Sequence, residues 1–261
     1  MNSVRPESAR IRRELARQVR DNPWEDYFAD SARSMPAVLI AGSLIVACEL
    51  AFFFGSGTWL RSGLENWFDW LTAHIHLNQI LVLPVLTLGI LLAWHVCGCG
   101  AWRANPKTMF ALAGESVALG LVLAMAIKAI RLVTFPGTIG NGFGWSIASQ
   151  FEQAIPSLLA VISASVHEEI IFRLGMLGGG VAIARRLGIC NRPVQAGMVV
   201  LVSLVFAAFH YSTLNPAGEA VDVAGFLCRF GVGMVFGTVY LTRGLALAIG
   251  IHCVYNVMSL L

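Results

Sequence analysis

The chain has 261 residues, of which 57% are hydrophobic and only 13% charged, with a formal net charge of +3. A soluble domain is about a quarter charged, so a chain this apolar could not cover its surface in water, and the bilayer must be the solvent for most of it. So small a net charge, with no stripe of basic side chains, gives no footing for nucleic acid as a partner.

The first 35 residues are polar and hold seven arginines and six acids. They lack the basic start, apolar stretch and small-residue site of a signal peptide. Ile11, Leu15 and Val19 recur at helical spacing, which allows an amphipathic helix lying on the membrane or a plain solvated one. Beyond them, runs of the ~20 apolar residues that a spanning helix needs are expected at about 36–54, 79–96, 108–127, 195–211, 223–241 and 245–260. Between the first two, 55–78 carries Trp59, Trp67, Phe68 and Trp70, which read as interfacial anchors. The glycine-rich 137–144 reads as a flexible connection dividing the chain. Three units follow: a polar segment 1–35 inside the cell or on the membrane surface, transmembrane helices of unassigned role over 36–146, and a chemically active membrane core over 147–261.

The stretch 147–187 is apolar but holds His167, Glu168, Glu169 and Arg173 near its middle. It is either one long kinked helix or two short ones. With the N-terminus inside, a single crossing keeps Arg103, Lys107, Arg185, Arg186, Arg192 and Arg243 inside as well, as basic residues prefer. A double crossing moves four of these outside. The expected fold is therefore all-α, a polytopic transmembrane bundle of about seven to eight membrane helices, with charge favouring seven.

Ionisable groups inside a bilayer are costly, and they persist when paired or functional. On a helix Glu169 and Arg173 stand four apart in the favourable acid-before-base order and can neutralise each other. Glu168 is left over, about 100° round the helix. A carboxylate without a partner in a low-dielectric setting is held back from ionising, the condition a general base near neutral pH requires. The bland alternative is a satisfied charge network at a kink. Phe206 and His210 follow near the end of an apolar run, where a lone histidine is more often structural. His252 and Asn256 share one face of the last helix. Both side chains can donate hydrogen bonds, to an oxyanion or simply to a neighbouring helix. Glu49, Glu115 and Lys128 read as interfacial or locally paired, and Arg229 as a group that could support the site. The six cysteines are scattered in or beside apolar runs and read as small hydrophobes.

Glu-Glu-x-x-x-Arg, Phe-x-x-x-His and His-x-x-x-Asn, in that order on successive apolar helices, resemble the CPBP family. These are the CAAX-protease and bacteriocin-processing membrane proteins, which include the type II CAAX prenyl endopeptidases. The resemblance covers about 157–261. It implies that Glu168 activates water, that His210 helps hold that water, and that His252 and Asn256 stabilise the oxyanion. Glu169, Arg173 and Phe206 are supporting residues. One departure stands out: the family commonly has Gly directly after the motif Arg, whereas here Leu174 comes first and Gly175 follows.

The implied activity is intramembrane endopeptidase cleavage of membrane-associated peptides or proteins, lipidated or not, with no cofactor. Ser163, Ser165 and Ser203 lack a matching triad pattern. A zinc-dependent version is the near rival, because Glu168, His210 and His252 have the ligand types of a catalytic zinc site. The His-Glu-x-x-His signature is absent. A non-catalytic scaffold or immunity protein and a transporter are the rivals outside enzymology. The lack of inverted repeats speaks against a transporter. The expected location is a bacterial inner membrane with the N-terminus cytoplasmic.

Overall fold

The computed structural model describes residues 23–54, 67–68, 71, 79–134, 147–211 and 220–260. The expected helix over Ile11, Leu15 and Val19, the anchors Trp59 and Trp70, and the connection 137–144 lie outside the described residues. What is described is helical: α1 Pro23–Ser31, α2 Ser34–Phe54, α3 Gln79–Cys97, α4 Pro106–Thr134, α5 Ile147–Glu168, a π-helical segment Glu169–Gly178, α6 Gly179–Arg186, α7 Arg192–Phe209, α8 Val223–Arg243 and α9 Leu245–Leu260. Helices α2, α4, α7 and α8 are long and apolar enough to cross a membrane, and Val82–Cys97 and Leu245–Leu260 are shorter apolar helices. The chain is an all-α helical membrane protein.

The stretch that sequence alone left open is one continuous helical rod. α5 passes into the π segment and then into α6 without a break. Its register follows from two apolar faces. Val166, Ile170 and Leu174 pack with Ala37, Ala41 and Ile45 of α2 and with Leu247 and Ile251 of α9. Phe172, Leu177 and Val181 pack instead with Val199 and Phe206 of α7 and Leu83 of α3. The rod thus separates two cores, and its polar residues sit along the seam between them. A π segment widens the helix locally and is frequent at functional sites.

Contacts between helix ends fix the directions. Ser34 meets His95, with Oγ and Nδ1 2.8 Å apart. Glu115 pairs with Arg243, and the Tyr240 hydroxyl rests on Gly178. The start of α2, the end of α3, the early part of α4 and the end of α8 therefore share one end of the bundle. Arg33, Arg185 and Arg243 lie toward that end. The described helices alternate in direction as a single passage of the rod requires, and Lys128, Arg131 and Arg229 lie toward the other end.

Two glycines show why the packing is so close. A Cβ added at Gly250 of α9 would collide with Ser116 Oγ of α4. Small residues let helix backbones approach where lipid supplies no hydrophobic drive. Gly244, with φ of +91°, turns the chain between α8 and α9, where a Cβ would sit 2.9 Å from Ala32 Cα. Asn191 caps α7 through Val194 N–H at 3.0 Å, and Asp222 caps α8 through Gly225 N–H at 2.7 Å, which satisfies otherwise orphaned donors.

Candidate active site

Three helical elements converge on Glu168. The junction of α5 with the π segment carries it, the C-terminal end of α7 presents His210, and the middle of α9 presents His252. Glu168 Oε2 lies 3.7 Å from His252 Nε2 and 3.9 Å from His210 Nε2. These separations exceed direct hydrogen bonds. Oε2 is buried and has no hydrogen-bond partner, although the carboxylate faces two imidazole nitrogens.

Each imidazole is oriented from its far side. His210 Nδ1 is 2.8 Å from the Phe206 carbonyl. A carbonyl can only accept, so Nδ1 carries the proton and Nε2 offers its lone pair toward Glu168. His252 Nδ1 is 2.8 Å from Glu169 Oε1. A carboxylate beside a guanidinium is likewise an acceptor, so His252 also turns an Nε2 lone pair toward Glu168 when neutral.

Glu169 and Arg173 form the expected pair, with Arg173 Nη1 3.2 Å from Glu169 Oε1. Alignment there falls short of a hydrogen bond. The pair is not self-sufficient, because Glu169 also holds His252. The cation is shielded by rings: its carbon stands 4.3 Å from the centre of Phe206 and 5.3 Å from that of Phe236. Arg173 Nη2 donates weakly to the Gly233 carbonyl at 3.4 Å. Phe206 thereby touches Arg173, while its ring stands edge-on to His210 at 4.8 Å. Phe236 lies against His252 at 4.4 Å.

Asn256, one turn beyond His252, donates from Nδ2 to Ser165 Oγ at 2.9 Å. The structure thus brings Glu168, His210 and His252 together, with Glu169, Arg173 and Phe206 behind them, and engages Asn256 beside the trio through a serine. Ser163 faces His167 at 3.2 Å, and Ser203 donates to the Val199 carbonyl at 2.7 Å. Arg229 donates to the Tyr211 hydroxyl at 3.0 Å, next to His210 in sequence. Glu115 is paired with Arg243, a partner 128 residues away that sequence spacing could not reveal. Two residues were missed as neighbours of the site. Trp67, read as an interfacial anchor, stacks edge-on with Phe209 at 5.4 Å, and Ser165 meets Asn256. Neither contact has a sequence signal, since both join distant helices.

Among the described residues, no group of three or more His, Cys, Asp or Glu side chains is placed to hold a metal ion. Glu168, His210 and His252 nonetheless carry the ligand atom types of a catalytic zinc site, with Glu168 Oε2 3.7 and 3.9 Å from the imidazole nitrogens of His252 and His210.

A buried carboxylate flanked by two oriented imidazoles inside an apolar helix bundle defines a membrane protein with a polar cluster in its interior. Residues 150–258 match the model of the family described as Type II CAAX prenyl endopeptidase Rce1-like, in agreement with the resemblance carried by the three motifs. The match spans nearly all of the rod, α7, α8 and nearly all of α9, and it leaves α1 to α4 outside. No curated protein and no solved structure matches the chain.

Proposed function

We propose that the chain is an intramembrane endopeptidase that hydrolyses peptide bonds of membrane-associated or lipidated substrates with water activated by Glu168. The observation that carries this reading is Glu168 Oε2, buried without a hydrogen-bond partner and facing His210 Nε2 and His252 Nε2 at 3.9 and 3.7 Å. Polar groups at such distances suit a small molecule shared between them.

In the proposed reaction Glu168 takes one proton from water, and His210 Nε2 accepts a hydrogen bond from the other. The water oxygen bonds to the carbonyl carbon, and the π electrons move to the carbonyl oxygen. Asn256 donates to that oxygen from its second Nδ2 proton, and His252 does so from Nε2 when that nitrogen carries a proton. Each such donor is worth roughly 10²–10³ in rate. The C–N bond then breaks, and Glu168 returns its proton to the leaving amine. No residue is acylated. We place the protein in a bacterial inner membrane with the N-terminus cytoplasmic, a reading supported by Arg33, Arg185 and Arg243 lying toward the end of the bundle where α2 starts.

Comparison of membrane peptides from cells bearing wild type or Glu168→Ala tests the reading. Uncut substrate should accumulate in the variant, and unchanged profiles would remove the protease assignment in favour of a scaffold. Chelator treatment of purified protein separates the metal-free scheme from its zinc rival. Turnover should persist in chelator, and loss restored by zinc would overturn the metal-free scheme.

A further inference from the structure

The rod and α9 run antiparallel and are joined by two polar rungs. Glu169 meets His252 at 2.8 Å, and one turn back on the rod and one turn on along α9, Ser165 meets Asn256 at 2.9 Å. The first rung orients His252. We propose that the second is its counterpart: Ser165 is a positioning residue that sets the orientation of the Asn256 amide for oxyanion stabilisation. This rests on the reading of the site as a peptide hydrolase.

The case lies in donor and acceptor counts. A serine hydroxyl has one proton and two lone pairs. Ser165 Oγ lies 2.6 Å from the Val161 carbonyl, to which it donates. Its single proton is therefore spent, and toward Asn256 the oxygen can only accept. It selects the NH2 end of the amide. The two ends of an asparagine amide are nearly the same size, so packing alone sets their order poorly. The reversed amide would turn a carbonyl oxygen toward the developing oxyanion, where it repels. With Ser165 in place, one Nδ2 proton is held by the serine and the second stays fixed as a donor. Ser165 is fully buried, so water does not compete for its hydroxyl. It stands one turn before Glu169 on the helix that carries Glu168, so base and oxyanion donor are held in one register.

The test compares wild type, Ser165→Ala, Asn256→Ala and the double variant in nanodiscs. The probe is a quenched fluorogenic peptide bearing a farnesylated cysteine and a three-residue apolar tail. The expected result for Ser165→Ala is a kcat lower by about ten- to a hundredfold, less than the ~10²–10³ of a whole donor, with KM and Tm near wild type. The double variant should be no slower than Asn256→Ala alone, because a positioning group has nothing left to position. A further loss in the double variant marks a general structural role and overturns the proposal. Wild-type kcat in Ser165→Ala beside a slow Asn256→Ala overturns the Ser165 role alone. Wild-type kcat in Asn256→Ala overturns both that role and the oxyanion reading. If wild type leaves the probe intact, the prenylated substrate class falls. Hydrogen exchange of the Asn256 side-chain amide, read by NMR on asparagine-labelled protein, then decides: faster exchange in Ser165→Ala supports the rung, and unchanged exchange overturns it.

Discussion

Two charged clusters join helices in this bundle, and they use their polar atoms differently. At one end of the bundle, Glu115 receives the Tyr27 hydroxyl and both terminal nitrogens of Arg243, with Arg243 Nη2 at 2.8 Å. Both members of that ion pair remain about a fifth exposed, and the Phe28 ring lies 4.3 Å from the guanidinium. In the interior, Glu168, Glu169 and Arg173 are buried, yet Glu168 Oε2, Glu169 Oε2 and Arg173 Nε have no hydrogen-bond partner. The outer cluster engages both oxygens of its carboxylate and stays near water, and its one open atom is a donor, Arg243 Nε. A buried cluster with open acceptors carries an energetic cost, and such groups collect where chemistry needs them. The first cluster links α1, α4 and α8, mostly outside the matched region, whereas the second lies wholly inside it.

The contrast is broken most directly at Glu168. Glu168→Gln keeps shape and hydrogen-bonding reach but cannot take a proton. Turnover should fall by about 10²–10⁴-fold while Tm stays near wild type, as read by single-turnover cleavage beside a thermal melt. A variant that keeps its rate would reduce the interior cluster to structure. Next in size is Arg173→Met. It removes the guanidinium that stands beside two buried carboxylates, and breaking one side of a buried pair costs roughly 3–5 kcal/mol. Denaturant titration should show that loss, together with low activity, because Glu169 would no longer be held for His252.

Which parts of this could be read from the sequence follows from the range of each signal. Apolar runs mark α2, α3 and α7 to α9 within a few residues, because lipid demands continuous apolar surface, while α4 runs seven residues past the expected end at 127, through Lys128 and Arg131 to Thr134. The Glu169–Arg173 pairing is local and could be read from helical spacing. The π segment could not, because Glu-Ile-Ile-Phe-Arg-Leu looks like any amphipathic turn and the widening comes from packing between two cores. The sharing of Glu169 by His252, the link between Ser165 and Asn256 and that between Glu115 and Arg243 each join residues 83 or more positions apart. Such contacts depend on helix register, which composition does not encode. His210 had the weakest local signal of the site residues, yet its ring is turned to Glu168 by the Phe206 carbonyl of its own helix.

The outer cluster offers the smaller effects. Arg243→Met should cost about 1 kcal/mol or less, as partly exposed pairs do, and leave kcat at the wild-type value. A large loss of activity would show that the end of α8 communicates with the site. Smaller still is Tyr27→Phe, which removes one hydrogen bond to Glu115 and spares the ion pair. Burial, followed by the hydrogen bond to Glu115, pushes the Tyr27 phenol up to about 12 from its ordinary 10.0. The folded state therefore favours the protonated phenol more than the unfolded chain does. The stability this lends is fully present below pH 10 and is lost as pH rises through about 12. Thermal melts of wild type and Tyr27→Phe should differ by a constant few tenths of a kcal/mol to about 1 kcal/mol at neutral pH, and the two should converge as pH approaches 12. A difference that vanished already at about pH 9, below the ordinary phenol range, would mean that the phenol is held by solvent rather than by Glu115.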